Sequence, residues 1–273
     1  MEQTGFDVRT RFTRSSTARA IMLALVPALC LTSFAICVLP QIGVAPAWVV
    51  FVVNVALTIR IVALHHELIH ESKANVDWNP LIMLNLHIYT PFTVGFAELR
   101  KLHLLHHQHT NTDGDPDYPM VKGGRLRSVL GLAFMPEYWF FYALKHRLVS
   151  SNFWQLWAVR NVVLAVFVYV VGVEVYLVLY LLPSKIANAV LYMLFSYDVH
   201  TDDDGERRGN HNFLPIWSAP GTLARWFIGR VAYNGSYHHA THHRYPWVRG
   251  DRLHNATAYF QQKERFSVRR RLV

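Results

Sequence analysis

The sequence predicts an all-α integral membrane protein with about four transmembrane helices, a membrane-dipping helix and a cytoplasmic helical cap. Of the 273 residues, 52% are hydrophobic, which is more than an ordinary soluble enzyme contains. The apolar residues are gathered into long runs, and most cations lie outside those runs. Residues 1–273 are predicted to form one membrane domain.

The apolar runs are long enough for four crossings, since a helix needs about 20 apolar residues to cross a bilayer. Two separate runs cover 21–40 and 44–64, and a longer block is interrupted only by Pro183, Ser184 and Lys185. That block can cross twice as a hairpin, which predicts spans at about 21–40, 44–64, 156–182 and 185–199. The run LIMLNLHIYTPFTVGFA at 81–97 is shorter and more polar, and predicts a helix that dips into one leaflet.

The distribution of cations orients the spans. RTRFTRSSTAR precedes the first span and KERFSVRRR lies near the C-terminus, whereas the connections near 41 and 184 carry at most one cation. Positive flanks stay on the cytoplasmic side, so both termini are predicted to be cytoplasmic and the first span to remain uncleaved. The net charge of +9 therefore predicts contact with anionic lipid headgroups rather than with nucleic acid.

Most of the 16 histidines fall into three short runs on the predicted cytoplasmic side. HHELIH covers 65–70 at the end of the second span, HLLHHQH covers 103–109 in the polar loop, and HHATHH covers 238–243 after the fourth span. A helical cap built from 65–147 and 200–260 can bring the three runs together.

Within each run the histidines recur at helical spacing, because residues at i, i+3 and i+4 share one helix face. The aligned set is His66, His70, His103, His106, His107, His239, His242 and His243. Neutral imidazole suits zinc, copper, iron and nickel, and eight such ligands are too many for one ion, so the spacing predicts a histidine-ligated di-metal site. Two choices of register stay open, His65 in place of His66 and His238 in place of His239.

These motifs resemble those of the membrane fatty acid desaturase superfamily, which includes desaturases, hydroxylases and carotenoid ketolases. The resemblance rests on HELIH as HxxxH and on HLLHH and HATHH as two HxxHH motifs. HTNTDGDPDYP and HHRYPWV extend it, so that it covers the chain from about Ala63 to Trp247.

The resemblance implies two non-haem irons held by histidines alone, with O2 and two electrons used to attack an unactivated C–H bond. It also implies a ninth ligand between the fourth span and the third motif. His200 fits that position, with His211 as the alternative.

Carboxylates beside the histidine runs are candidates to hold the second ring nitrogen of a ligand. They are Glu67, Glu71, Asp113, Asp115, Asp117 and Asp202 to Asp204. The two cysteines, Cys30 and Cys37, form no metal or redox motif, and the chain has no GxGxxG fingerprint. Electrons are therefore expected from a separate donor of the ferredoxin or cytochrome b5 type.

The function predicted from these features is oxidation of a long apolar substrate, with desaturation of a fatty acyl chain or lipid as the leading reaction. A carotenoid ketolase, or a hydroxylase of hydrocarbons or acyl chains, is the alternative within the superfamily. A metal transporter is the more distant alternative. Transporters place their ligands along a path near the bilayer midplane, whereas the histidines here cluster in the predicted cap.

Overall fold

The computed structural model describes residues 12–13, 16–71, 79–85, 87, 89–122, 125–197, 200, 213–215, 226–263 and 269–271. In these ranges the regular elements are helices and two three-residue strands, β1 (Phe213–Pro215) and β2 (Arg269–Arg271), which pair in parallel. The helices before the third span are α1 (Ser16–Ala35), α2 (Ala47–Ile69), α3 (Pro80–Met83), α4 (Phe96–His109), α5 (Tyr118–Val121), α6 (Arg125–Ala133) and α7 (Met135–Lys145). Those that follow are α8 (Phe153–Val171), α9 (Val173–Val175), α10 (Leu182–Tyr192), α11 (Arg230–Tyr237), α12 (His239–Arg244) and α13 (Leu253–Lys263).

In the part of the chain that the structure describes, four helices are long and apolar enough to cross a membrane, which confirms the predicted number of spans. They are Thr17–Val38, Ala47–Ile69, Phe153–Val171 and Val173–Tyr197. The second span is longer than predicted toward its C-terminus, so its last turn carries His66. The fourth span combines α9 and α10 with two π-helical segments, Tyr176–Leu181 and Met193–Tyr197.

The hairpin between the third and fourth spans turns at Gly172, so the predicted break at 183–185 is wrong. Gly172 has a φ of 86°, a backbone conformation that ends α8 and that only glycine adopts freely. Pro183 instead lies in the first turn of α10, within the fourth span. Lys185, also inside this span, forms an ion pair with Glu137 of α7.

A buried amide on the second span explains how the fourth span accommodates Pro183. The proline has no N–H to donate to the Leu179 carbonyl four residues earlier. Asn54 donates its Nδ2 to that carbonyl at 2.6 Å, and its Oδ1 accepts from Ser33 of the first span at 2.7 Å. Side chains of neighbouring helices commonly satisfy a carbonyl that proline leaves free in a membrane helix.

The predicted dipping helix over 81–97 is wrong in extent, because among the described residues of this stretch only α3 is helical before α4 begins at Phe96. Asn79 caps α3 and Pro80 occupies its first position, whereas Pro91 and Gly95, the N-cap of α4, prevent one continuous helix. Between the two helices, Tyr89 is nevertheless packed inside the protein: it is buried, and its carbonyl accepts from the Tyr176 hydroxyl at 2.6 Å. Irregular backbone among membrane spans is tolerated where protein covers it in this way.

A buried arginine joins the third span to α4, the helix that carries the second histidine run. Arg160 is 1% exposed, donates to the Thr93 carbonyl at 3.1 Å, and lies beside Glu98, which is fully buried. A Cβ on Gly95 would come within 2.7 Å of both side chains. Glu98 in turn accepts from Ser150 N and Oγ, so the start of α4 is fixed on two sides.

Candidate metal centre

The histidine runs meet at the ends of α2, α4 and α12 and form two groups. In each group the ring nitrogens lie within 4.8 Å of one another and could hold a metal ion. The five-histidine group consists of His66, His70, His103, His107 and His242. The four-histidine group consists of His106, His200, His239 and His243.

The two groups interleave along the chain because helical spacing sends neighbours to different faces. On α4, His103 and His107 are four residues apart and enter the five-histidine group, whereas His106 enters the other. On α12, His242 joins the five-histidine group, while His239 and His243 join the other. The groups meet where the rings of His107 and His243 stack, with their centroids 4.2 Å apart.

The distances within the five-histidine group fit a shared cation. His103 Nε2 lies 3.0 Å from His70 Nε2 and 2.9 Å from His107 Nε2, but a single ring nitrogen cannot make a proper hydrogen bond to both. Two nitrogens bound at right angles to one ion, with bonds of about 2.1 Å, are about 3 Å apart. In addition, Nε2 of His66 and Nε2 of His242 are buried and have no hydrogen-bond partner among the described residues. The donor set therefore fits a metal.

The four-histidine group has the same character. His239 Nε2 lies 3.1 Å from His200 Nε2. His239 Nδ1 lies 3.2 Å from the Gly235 carbonyl, which can only accept, so Nδ1 carries the proton and Nε2 is the nitrogen that can bind a metal. His106 Nδ1 likewise donates to Asp115 Oδ1 at 3.0 Å.

The electrostatics keep the imidazoles neutral, which is the form that binds metal. Burial, and then the proximity of other imidazoles, lowers the pKa of four of them well below the usual histidine value: His103, His107, His242 and His243. These ring nitrogens therefore need not release a proton at neutral pH before they bind a cation.

Two of the predicted carboxylates contact a histidine of the groups. Asp115 accepts from His106, and Asp117 Oδ2 lies 3.7 Å from the same nitrogen. Burial raises the pKa of Asp117, and the neighbouring His106 opposes the rise. His106, Asp115 and Asp117 also lie close enough together to hold a metal ion themselves. The more common arrangement is that a carboxylate holds the second ring nitrogen of a histidine that binds the metal.

The other candidate carboxylates have different contacts. Glu67 Oε2 accepts from Gly250 N at 2.9 Å, and Glu71 pairs with Arg19 at 2.8 Å. Asp113 is exposed, and Asp202 to Asp204 lie outside the described residues.

All nine histidines predicted from the sequence and the resemblance lie in the two groups, whereas the two alternatives that the structure describes, His65 and His238, do not. His65 is buried next to Phe96, with ring centroids 6.1 Å apart, and belongs to neither group. His238 Nε2 lies 3.3 Å from His254 Nδ1, away from both groups. His211 lies outside the described residues.

Two residues that support the site, Asn111 and Trp139, were not predicted individually, although Asn111 lies within the HTNTDGDPDYP stretch. Asn111 donates Nδ2 to the His200 carbonyl at 3.0 Å and its N–H to Asp115 Oδ2 at 2.8 Å, which connects the four-histidine group to its carboxylate. Trp139 of α7 donates Nε1 to Asp117 at 2.9 Å. These contacts join segments far apart in the chain, so spacing alone could not reveal them.

An apolar cavity lies against both groups. His66 and His103 of the five-histidine group and His106 and His239 of the other line it. Its remaining walls are mainly apolar and come from α2, α4, α7 and the fourth span, including Val62, Ile69, Leu99, Trp139, Leu191 and Phe195. The cavity thus presents a hydrophobic space directly to two potential metal sites.

Comparison with protein families matched the chain to the fatty acid desaturase family over residues 42–270. Comparison with curated proteins and with solved structures found no match. The matched region includes three of the four spans and every histidine of the two groups. The chain therefore belongs to the fatty acid desaturase family and is, at that level, a desaturase-like membrane oxidoreductase.

Proposed function

We propose that this protein is an O2-dependent di-iron oxidoreductase that desaturates a long fatty acyl chain or acyl lipid. The observation that carries the proposal is the apolar cavity lined by histidines of both groups. A hydrocarbon chain in this cavity would lie against both groups without passing through water.

The nine histidines of the two groups are the proposed ligands, with two irons as the metals. When bound, the irons would supply the O2 chemistry that an unactivated C–H bond requires. The chain's own contribution is positioning: Asp115 holds the His106 ring through Nδ1, and the Gly235 carbonyl does the same for His239. Both contacts direct Nε2 toward the four-histidine group.

The cavity walls supply the second part of the function. Leu191, Trp139 and Phe195 form an apolar surface that excludes water and favours a hydrocarbon chain over a polar substrate. This supports a long apolar substrate taken from the surrounding lipid.

Electrons are proposed to come from a separate ferredoxin- or cytochrome b5-type protein. The supporting observation is the net charge of +9, because a cationic protein suits an acidic electron carrier. Full turnover by the purified chain with NADPH and O2 alone would contradict this part of the proposal.

The histidine groups and both termini are proposed to lie on the cytoplasmic side. The supporting observations are the cations that flank the spans and the position of the groups at the end of the second span, where His66 lies in the last turn.

The decisive experiment is expression in a host that contains both fatty acids and carotenoids, followed by mass spectrometry of lipids and pigments. We expect about two irons per purified chain and an O2-dependent loss of two hydrogens from an acyl chain. A gain of oxygen on a carotenoid or an acyl chain would identify a ketolase or hydroxylase instead. Exchangeable zinc with metal flux in vesicles, and no oxidised product, would identify a transporter.

A further inference from the structure

One aromatic side chain lies between the two histidine groups on the cavity side. The Phe195 ring centroid is 5.6 Å from that of His66 in the five-histidine group and 5.7 Å from that of His239 in the four-histidine group. Phe195 also lines the cavity. A chain that enters the cavity toward the groups therefore meets this ring.

Gly235 leaves the space that the edge of the Phe195 ring occupies. A Cβ built on Gly235 of α11 would lie 2.8 Å from Phe195 Cε1 and 2.9 Å from Cζ, closer than real Cβ contacts. The edge of the ring therefore occupies the space that any other residue at 235 would fill. Ser236 Oγ donates to the Leu194 carbonyl at 3.2 Å, which ties α11 to the backbone next to Phe195.

The backbone that carries Phe195 is also unusual. Met193–Tyr197 is a π-helical segment, and such segments in α-helices occur frequently at functional sites. Its wider turn changes the direction of the side chains relative to those of α10, and Phe195 and Ser196 both line the cavity.

We infer that Phe195 is a specificity-determining residue, which sets how deeply a hydrocarbon chain sits between the two histidine groups and hence which carbon is oxidised. The inference rests on the proposed function. The ring fills space on the metal side of the cavity, and Gly235 keeps it from being pushed into the path of the chain. A smaller residue at 195 lets the chain sit deeper, whereas a larger one at 235 drives the ring into the cavity.

The test uses Phe195→Leu, Gly235→Ala, the double variant and the wild type, each assayed for iron content and for the position of oxidation in the host's acyl lipids. Phe195→Leu is expected to keep about two irons per chain while moving the position of oxidation or spreading it over neighbouring carbons. Gly235→Ala is expected to keep its iron and lose about tenfold in kcat/KM, the size expected when overpacking costs a little over 1 kcal/mol. The double variant should recover most of that loss, since the smaller leucine makes room for the new methyl group.

The matched control is Phe140→Leu on α7, which removes a buried aromatic ring outside the cavity lining. It is expected to leave the position of oxidation unchanged. An unchanged position in Phe195→Leu would overturn the inference, as would a Gly235→Ala defect that Phe195→Leu does not relieve or that comes from loss of iron. If the wild type itself forms no O2-dependent product, the proposed function fails; if only the variants behave otherwise than expected, the inference alone fails.

Discussion

At the scale of the residue, the last histidine run shows how one helical register separates chemically identical side chains. In SYHHATHH, His239, His242 and His243 reach the two groups, whereas His238 pairs with His254. The difference arises because α12 begins at His239, and His238 precedes it with a φ of −113°, outside the helical range. The four imidazoles of this run therefore lie in two different environments.

Replacement of single histidines in this run tests the register. His239→Ala is expected to lose bound iron and to reduce activity by at least about 100-fold, because even outer contacts of metal ligands are worth 10- to 100-fold. His238→Ala should keep most of both. The measurements are iron per chain and O2-dependent turnover, and the reverse pattern would place the motif one residue out of step.

The contact of Asp115 with His106 gives a second prediction at this scale. Asp115→Ala removes the acceptor that orients the ring and the acceptor for Asn111 N–H, so metal affinity is expected to fall about 10- to 100-fold. Asp113→Ala is the matched control, since Asp113 lies in the same loop but is exposed. Equal metal affinity of the two variants, measured by chelator competition, would show that Asp115 does not support the site.

At the scale of the element, the fourth span shows why its boundaries were harder to predict than its existence. Its hydrophobicity and length are local properties, and these gave the correct number of spans. The turn lies at Gly172, and the helix continues past Pro183, where the Asn54 amide donates to the Leu179 carbonyl. A proline indicates a break when only its own segment is considered. The amide of Asn54, which donates to the Leu179 carbonyl, lies 125 residues from Leu179 in the chain.

Removal of this partner should weaken the packing of the first, second and fourth spans. Asn54→Leu leaves the Leu179 carbonyl and the Ser33 hydroxyl without their contact, at a cost of about 1–3 kcal/mol in the free energy of unfolding. Asn161→Leu is the control, because Asn161 is partly buried and, among the described residues, its side chain bonds only to the Trp157 carbonyl of its own helix. Thermal unfolding in detergent should show a clearly larger loss for Asn54→Leu, and equal losses would contradict the role given to it.

At the scale of the whole molecule, the sequence predicted the composition of the site better than its surroundings. Helical spacing and the family motifs placed nine histidines that the fold brings into two groups. Spacing and motifs could not predict three features: the packing of Phe195 against Gly235, the hydrogen bond of Trp139 to Asp117, and the non-helical course of residues 89–95. Each depends on segments that meet only in three dimensions.

Membrane orientation is a further prediction at this scale. A cysteine at Glu174, which is exposed at the turn between the third and fourth spans, should react with an impermeant maleimide in intact cells. A cysteine at Asp113 should react only after the membrane is permeabilised, since the histidine cap is proposed to be cytoplasmic. The native cysteines, Cys30 and Cys37, are buried and should give little background. Labelling of both positions from the same side would contradict the proposed topology.

The interleaving of the two groups has a consequence for how the protein matures. Neither group is complete without histidines of α12: the five-histidine group needs His242, and the other needs His239 and His243. All four spans have left the ribosome before these residues are made, because the fourth span ends at Tyr197. A nascent chain can thus be fully inserted in the bilayer and still lack both complete sites. Complete sites are available to a metal only after α12 has been made, and a chain that ends before α12 is expected to bind less metal than the full chain.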